Sequence, residues 1–217
     1  MLIAIDGACK NNGKPDCVSM GCAFIKFNDS TLVVTKAEEK STNQRGELNG
    51  LIAGFEAGIP FIKSEPFINI VTDSEYIYNA ITKEWLRAWS KKGWVTANGD
   101  PVKNKDLWER VLSLLEEYDD TVCSYYHVKG HVISLGKVTA SNIIKQDISC
   151  KDLYNAVKLK FYQEKNLPNK ATMLIEAARV FEKINGFVPP TESFYEMLFC
   201  NTVADIAASN ELSVYVN

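Results

Sequence analysis

Apolar positions along the first 131 residues follow strand-like and helix-like patterns in turn. Residues 2–5 are apolar throughout, as in a strand buried on both faces, and this run ends at Asp6. Runs at 22–27 and 31–35 predict two strands joined by a turn at 28–30. Further strands are predicted at 67–72 and 122–128, and helices at about 42–58, 75–85 and 106–117, with Ser74 capping the second helix. Strands first, then helices and strands in alternation, predict a mixed sheet with helices packed on it.

Beyond residue 131 the pattern is helical. Apolar residues at helical spacing predict one helix around Leu153–Phe161 and a second around Leu174–Ile184, which ends at Gly186. Ser193 and Glu196 have the spacing of a capping box, which predicts the start of a final helix at Ser193.

Four carboxylates stand where these patterns predict apolar residues or turns. Asp6 and Asp73 follow buried strands, Glu47 lies at the edge of an apolar helix stripe, and Asp205 lies on the inward face of the final helix. Any one of them taken alone is more often a turn residue or a helix cap. Four like charges at the edge of one core would repel one another unless cations were bound there, so their convergence implies metal. Oxygen ligands without His or Cys favour Mg²⁺ or Mn²⁺ over zinc.

Composition is that of an ordinary globular chain of one domain, or one domain plus an appendage, with 46% hydrophobic and 24% charged residues. The six cysteines form no CxxC pair and the first residues lack a signal-peptide pattern, which predicts free thiols and a cytoplasmic protein. Since no apolar run approaches the roughly 18 residues that cross a bilayer, no membrane association is expected.

The net charge of −3 argues against a nucleic-acid partner, but the charges are unevenly spread. Residues 83–105 carry six basic and two acidic side chains, and all four tryptophans lie in or just beyond this stretch. Basic residues interleaved with aromatic ones are typical of a groove that follows a phosphate backbone. The alternative is a solvated helix face with tryptophans packed in the core, and it stays open for Trp85 and Trp108.

Seven short segments, in this order along the chain, resemble the type 1 ribonuclease H (ribonuclease HI) family. They are Asp6–Cys9, Thr42–Leu48, Thr72–Ser74, Trp89–Trp94, Pro101–Trp108, His127–His131 and Asn201–Asp205. The resemblance covers residues 1 to about 131 and about 193 to 209. It implies a ribonuclease H-like fold of the α/β (mixed α+β) class with a central mixed five-stranded sheet. It also implies a single domain over 1–217 with a helical insertion at about 134–192.

The resemblance implies an endonuclease that hydrolyses the RNA strand of RNA/DNA hybrids and leaves 5′-phosphate and 3′-hydroxyl ends. Two Mg²⁺ ions, for which Mn²⁺ can substitute, would be held by the matching carboxylates Asp6, Glu47, Asp73 and Asp205. His131 matches a loop histidine that assists proton transfer or product departure, although a lone histidine is more often structural. The implied partner is the hybrid, with neither a membrane nor an obligate protein partner expected.

Substrate contacts are implied at eight further positions, which are Thr42, Asn43, Gln44, Ser74, Lys91, Lys92, Trp94 and Asn104. Thr42 and Asn104 resemble part of a pocket for a DNA-strand phosphate. Asn43 and Gln44 match positions that reach the minor groove. The two lysines and the tryptophan resemble the basic protrusion of the family. Short polar residues beside a helix start are also expected simply as caps.

The chain departs from the family pattern in the 73 residues between His131 and Asp205, where the family has a short connection. Asp147 and Asp152 are therefore alternatives to Asp205, which is preferred because residues 201–207 reproduce the final helix of the family. The inserted helices are expected to pack on each other and on the main domain beside the active site. Replacing them by a short linker is expected to leave a folded enzyme.

Two other functions remain on the same scaffold. One is a binding module that has lost cleavage, although a pure binder gains nothing from carboxylates facing phosphate. The other is a nuclease or resolvase that acts on DNA, which the segment 42–44 and the protrusion disfavour. Thr202 stands where an acidic residue is common, and Glu75 adds a negative charge two residues after Asp73, so the tuning of metal and substrate affinity is expected to differ.

Overall fold

The fold is built on one five-stranded sheet. The computed structural model describes residues 1–62, 64–65, 67–118, 122–135 and 149–215. The strands are β1 (Leu2–Lys10), β2 (Val18–Phe27), β3 (Ser30–Glu39), β4 (Phe67–Thr72) and β5 (Val122–His127). Their order is β3-β2-β1-β4-β5, with the first three antiparallel and β1, β4 and β5 parallel. This arrangement confirms the predicted mixed sheet.

The first strand is longer than predicted. The expectation that it ends at Asp6 is wrong, because β1 continues to Lys10. Antiparallel pairing with β2 runs along the whole strand, whereas parallel pairing with β4 stops at Ile5, opposite Thr72. Asp6 therefore lies within the strand, at the point where β1 loses one of its two neighbours.

One face of the sheet is covered by helices that come between the strands. They are α1 (Asn43–Gly58), α2 (Glu75–Thr82), α3 (Trp85–Lys91) and α4 (Lys105–Glu117). As predicted, Ser74 caps α2, and Thr42 caps α1, which was the alternative for a short polar residue beside a helix start; the side-chain oxygen of each accepts from an N–H group of the first turn. The predicted single helix over 75–85 is wrong. Glu84 has a φ of 60°, which breaks the helix and leaves Trp85 40% exposed at the start of α3.

The opposite face is covered by three consecutive helices, α5 (Cys150–Glu164), α6 (Pro168–Asn185) and α7 (Thr191–Tyr215). The two inserted helices and the end at Gly186, with a φ of 80°, are as predicted. The capping box is wrong, since α7 begins two residues before Ser193. Glu196 instead accepts a hydrogen bond from Tyr154 Oη at 2.6 Å and pairs with Lys26 Nζ at 2.9 Å.

Side chains alternate across the sheet and build a core on each face. Ile3 and Ile5 of β1 face α1, α2 and α4, whereas Ala4 faces the other layer. That second core includes Phe24 of β2 and draws side chains from all three later helices, among them Val157, Phe161, Ala177, Phe181, Phe194 and Phe199. Residues of the predicted insertion thus form part of the layer that covers the sheet. The assignment of 1–217 to a single domain with an insertion stays a prediction.

All six cysteines are free thiols, as predicted. None of the helices in the described part of the chain has the length and hydropathy that a membrane span requires.

Candidate active site

The two central parallel strands bring Asp6 and Asp73 side by side. Ile5 of β1 lies opposite Thr72 of β4, so the next residue of each strand is an aspartate at the same edge. Because side chains alternate, Asp6 points to the same face as Ala4, towards the layer that contains α7. Asp6 is 9% exposed, whereas Asp73 is half-buried.

Glycines bring Glu47 to this edge. A Cβ atom at Gly7 would lie 2.4 Å from the backbone nitrogen of Glu47, and one at Gly50 would lie 2.9 Å from the carbonyl oxygen of Asp6. Only glycine therefore allows α1 to approach β1 this closely. The Glu47 carboxylate accepts a hydrogen bond from Asn43 Nδ2 at 3.0 Å and another from Ser74 Oγ.

The second helical layer contributes Asp205 and His131. The side chain of Asp205, on α7, is 28% exposed, and its Oδ2 lies 3.1 Å from His131 Nδ1. His131 follows β5 on a loop, has a φ of 56° and exposes 79% of its side chain. Asp152, one of the alternatives to Asp205, lies exposed on α5 and accepts from Ser149 Oγ at 2.7 Å. The other alternative, Asp147, lies outside the described residues.

The carboxylates lie close enough for their charges to affect one another. Burial raises the pKa of Asp6 well above its usual value, and the charges of Asp73, Asp205 and, more weakly, Glu47 raise it further. Burial also raises the pKa of Glu47 and of Asp73. A hydrogen bond from Ser74 opposes the first shift, and His131 opposes the second. A bound cation would stabilise such a cluster.

The side chains do not enclose an ion in the positions they adopt. Within the described parts of the chain, no group of three or more His, Cys, Asp or Glu side chains is drawn together tightly enough to hold a metal. Each of three carboxylates instead has a neighbour as its partner. Asp6 accepts from the Gly7 N–H, Glu47 accepts from Asn43 and Ser74, and Asp205 lies against His131 Nδ1. The charges of Asp73, Asp205 and Glu47 each still raise the pKa of Asp6, so the four carboxylates lie near one another at this edge. The all-oxygen donor set fits a hard divalent ion once the side chains turn towards it.

An open groove of about 550 Å³ runs past two of the carboxylates, Glu47 and Asp73. It is lined by Asn12, Thr42, Asn43, Gln44, Glu47, Asp73, Ser74, Glu75 and Tyr76. Four of the eight predicted substrate contacts are in this set. Asn12 was not among the predicted residues. Its Oδ1 accepts from the backbone N–H of Asn43 at 3.3 Å, and its place in a loop of small polar residues left no pattern that could single it out.

Asn104 reaches the groove through Tyr76. Its side-chain nitrogen lies 3.5 Å from Tyr76 Oη, which also accepts from Trp108 Nε1 at 2.6 Å. Trp108 is fully buried, so the structural alternative holds for this tryptophan.

The predicted protrusion lies outside the set of residues that line the groove. Lys91 and Lys92 are exposed at the end of α3. Trp94 is half-buried in the turn that follows, where its N–H donates to the Trp89 carbonyl at 2.8 Å and its own carbonyl accepts from Val102 N–H at 2.9 Å. These backbone hydrogen bonds hold Trp94 in the turn, and its contact with substrate stays a prediction, whereas the two lysines are available to a ligand.

Arg45 is a supporting residue that the sequence reasoning missed, although it lies within the segment 42–48. Its guanidinium donates to Glu38 at 2.6 Å and to Asp106 at 2.7 Å, which ties the start of α1 to β3 and to the start of α4. The hydrogen bond from Arg45 lowers the pKa of Asp106. This network fixes the helix start that carries Thr42, Asn43 and Gln44.

Comparison with known proteins gives consistent similarities. A sequence profile described as RNase H matches residues 1–148. A ribonuclease H of Thermus thermophilus is 37% identical over 126 residues, covering 58% of this chain and 70% of that protein. Ribonuclease H of Clostridium botulinum (strain Hall) is 32% identical over 131 residues, covering 60% and 83%. The solved structure of LC9-RNase H1, a type 1 RNase H with the type 2 active-site motif, aligns with 19% identity and a TM-score of 0.47 over 79% of this chain and 84% of that one.

Proposed function

We propose a function from one premise, which is that this chain belongs to the RNase H family. The chain is an endoribonuclease that cleaves the RNA strand of RNA/DNA hybrids. We propose further that cleavage is a metal-dependent hydrolysis that leaves 5′-phosphate and 3′-hydroxyl ends. The observation that carries the proposal is the convergence of Asp6, Glu47, Asp73 and Asp205, two of which, Glu47 and Asp73, line an open groove.

These four carboxylates are the proposed ligands of two Mg²⁺ ions, for which Mn²⁺ can substitute. Bound there, divalent ions supply an activated water and neutralise charge at the phosphate. Burial of Asp6 supports this role, since a carboxylate so little exposed and surrounded by like charges is costly without a cation. Hydrogen bonds from Asn43 and Ser74 orient the Glu47 carboxylate at the edge of the groove.

His131 is the proposed proton-transfer group. Its Nδ1 faces Asp205, so its Nε2 is directed away from that carboxylate and its exposed ring can reach a substrate. A histidine at the mouth of the site can donate a proton to the departing 3′-oxygen. It can also assist the departure of the product.

The groove residues are the proposed readers of the hybrid. Asn43 and Gln44 would reach the minor groove, where the 2′-hydroxyls of the RNA strand distinguish a hybrid from DNA. Thr42 and Asn104 would form part of a pocket for a phosphate of the DNA strand, and Ser74 would contact the substrate beside them. Lys91, Lys92 and Trp94 would contact the backbone farther along the duplex.

The experiment is incubation of the protein with labelled RNA/DNA hybrid, double-stranded RNA and double-stranded DNA, with Mg²⁺ and with excess chelator. We expect cleavage of the hybrid alone, in its RNA strand alone and only with metal. Hybrid binding without cleavage would favour the binding module, and comparable cleavage of duplex DNA would favour a DNA-directed nuclease. The cytoplasmic location and the independence from an obligate protein partner are proposals that need separate measurement.

A further inference from the structure

Helix α6 contacts the segment that carries His131 at two points along its length. Lys170 Nζ donates to the Val132 carbonyl at 3.3 Å, and Glu176 pairs with Lys129 Nζ at 2.6 Å. The residues just after His131 are buried in the core to which α6 belongs, with Val132 3% and Ile133 6% exposed. His131 itself is exposed, but the backbone on both sides of it is held.

A third contact lies at the end of the same helix. The side chain of Asn185 accepts from the His127 N–H at 3.0 Å and donates to the His127 carbonyl at 2.9 Å. β5 is an edge strand, so Asn185 supplies the two hydrogen bonds that a neighbouring strand would make there. Asn185 Nδ2 also lies 2.9 Å from the Phe181 carbonyl of α6, which fixes its own orientation.

His127 transmits this contact to the catalytic edge. Its Nε2 lies 3.1 Å from the backbone carbonyl of Asp73, and its ring is buried. A carbonyl only accepts, so Nε2 carries the proton in this bond. Both ends of the segment 127–133 are thus hydrogen-bonded to α6. One of these ends, His127, also donates to the backbone carbonyl of Asp73, just past the end of β4.

The conformation of His131 indicates why such support matters. Its φ of 56° lies in the left-handed region, which residues other than glycine adopt rarely unless their surroundings hold them there. Burial of Val132 and Ile133 and the bonds from Lys170 and Asn185 supply that constraint on both sides.

We propose that α6 is a positioning element for the reaction, with Lys170 and Asn185 as positioning residues that hold His131 against Asp205 before substrate arrives. This rests on the proposed function for the role of His131. In this chain the histidine loop is therefore preset by a helix rather than ordered by the substrate.

The first test compares Lys170→Ala, Lys170→Arg and a control, Lys158→Ala, an exposed lysine on α5. Hydrogen–deuterium exchange of amides 129–135 is measured without metal, and kcat and KM are measured on the hybrid. Lys170→Ala should speed exchange about tenfold and lower kcat about three- to tenfold with KM unchanged. Lys170→Arg, which can still donate to the carbonyl, should restore both, and Lys158→Ala should change neither.

The second test uses Asn185→Ala with Leu153→Ala as a control for lost stability, since Leu153 is buried in the same core but lies on α5. At equal distance below each melting temperature, only Asn185→Ala should lower kcat and speed exchange of 127–135. Wild-type exchange in both α6 variants, or faster exchange with wild-type kcat, overturns the proposal. If the unmodified protein does not cut the hybrid, the proposed function fails, and exchange alone still decides whether α6 holds the segment.

Discussion

The two faces of the sheet are covered by helices of different origin along the chain. On one face, α1, α2 and α4 come between the strands, within the residues 1–148 that match the family profile. On the other face, α5, α6 and α7 follow one another after the last strand, beyond that match. Each face delivers part of the site, with Glu47 coming from the first and Asp205 from the second. The strands between them supply Asp6 and Asp73.

The two layers also pack differently. α1 lies against β1 through glycine, where no side chain separates the two backbones. The later helices pack through large aromatic side chains, as Phe161 on Phe199 and Phe181 on Phe194 illustrate. The glycine contacts fix the position of Glu47 relative to β1. In the second layer, the size of the packed side chains sets the distance between the helices and the sheet.

The largest expected effect is at Asp73, where both layers meet. Asp73→Asn should lower turnover of the hybrid roughly a thousandfold or more, since it would remove one of the proposed metal ligands and with it several kcal/mol of charge stabilisation. The fold should persist, because Asn has the same shape and relieves the repulsion that Asp205 exerts on a half-buried carboxylate. Cleavage assays and thermal melting measure the two outcomes.

A matched control for this substitution is Asp152→Asn, which changes the same charge on exposed α5. It should leave turnover at the wild-type level. Near-normal turnover in Asp73→Asn would contradict the proposal that Asp73 is a metal ligand.

Local signals in the sequence predicted the first layer well. The β-rich run 67–72 and the cap Ser74 need only neighbouring residues to be recognised, and the structure confirms them. The wrong predictions occur where a contact with a residue far along the chain determines the local structure. β1 continues beyond Asp6 because β2 remains paired with it. Glu196 does not form the predicted capping box, because its carboxylate bonds to Lys26 and Tyr154.

The site shows the same division. The four carboxylates could be found because each interrupts an apolar pattern. Asn185 and Lys170 could not, because their partners lie 58 and 38 residues away and nothing in the neighbouring sequence marks them. The expectation that the insertion can be replaced by a linker also came from its local pattern. Since Phe161 and Phe181 are buried in the core over the sheet, the structure leads us to expect that its removal unfolds the chain.

Phe181→Ala tests whether the second layer is core or appendage. Phe181 is fully buried and stacks on Tyr126 of β5, so the substitution should cost about 3–5 kcal/mol in the free energy of unfolding. Ile175→Ala on the same helix is the control, because Ile175 is 55% exposed and should cost less than about 0.5 kcal/mol. Similar losses in the two variants, measured by urea unfolding, would show that α6 is attached only loosely.

Gly7→Ala tests the glycine contact of the first layer. The new methyl group would stand 2.4 Å from the Glu47 backbone, which forces α1 away from β1 and should cost about 3 kcal/mol together with most of the activity. Gly46→Ala is the graded comparison, because its Cβ would meet Ser19 Cβ at 3.2 Å and a small shift relieves that contact. Equal melting temperatures for the two variants would contradict the close approach as the feature that positions Glu47.

The smallest expected effect concerns the exposed lysines beyond the groove. Replacing Lys91 and Lys92 together by Ala should raise KM a few-fold and reduce the slope of log KM against log salt by about one to two, because each lost phosphate contact releases about one counterion fewer. The control is the double variant Lys151→Ala and Lys158→Ala, which removes the same charge from exposed α5. If both double variants shift the slope equally, the lysines act only through net charge. If only the first does, the substrate extends from the groove past α3, on the side of the first layer.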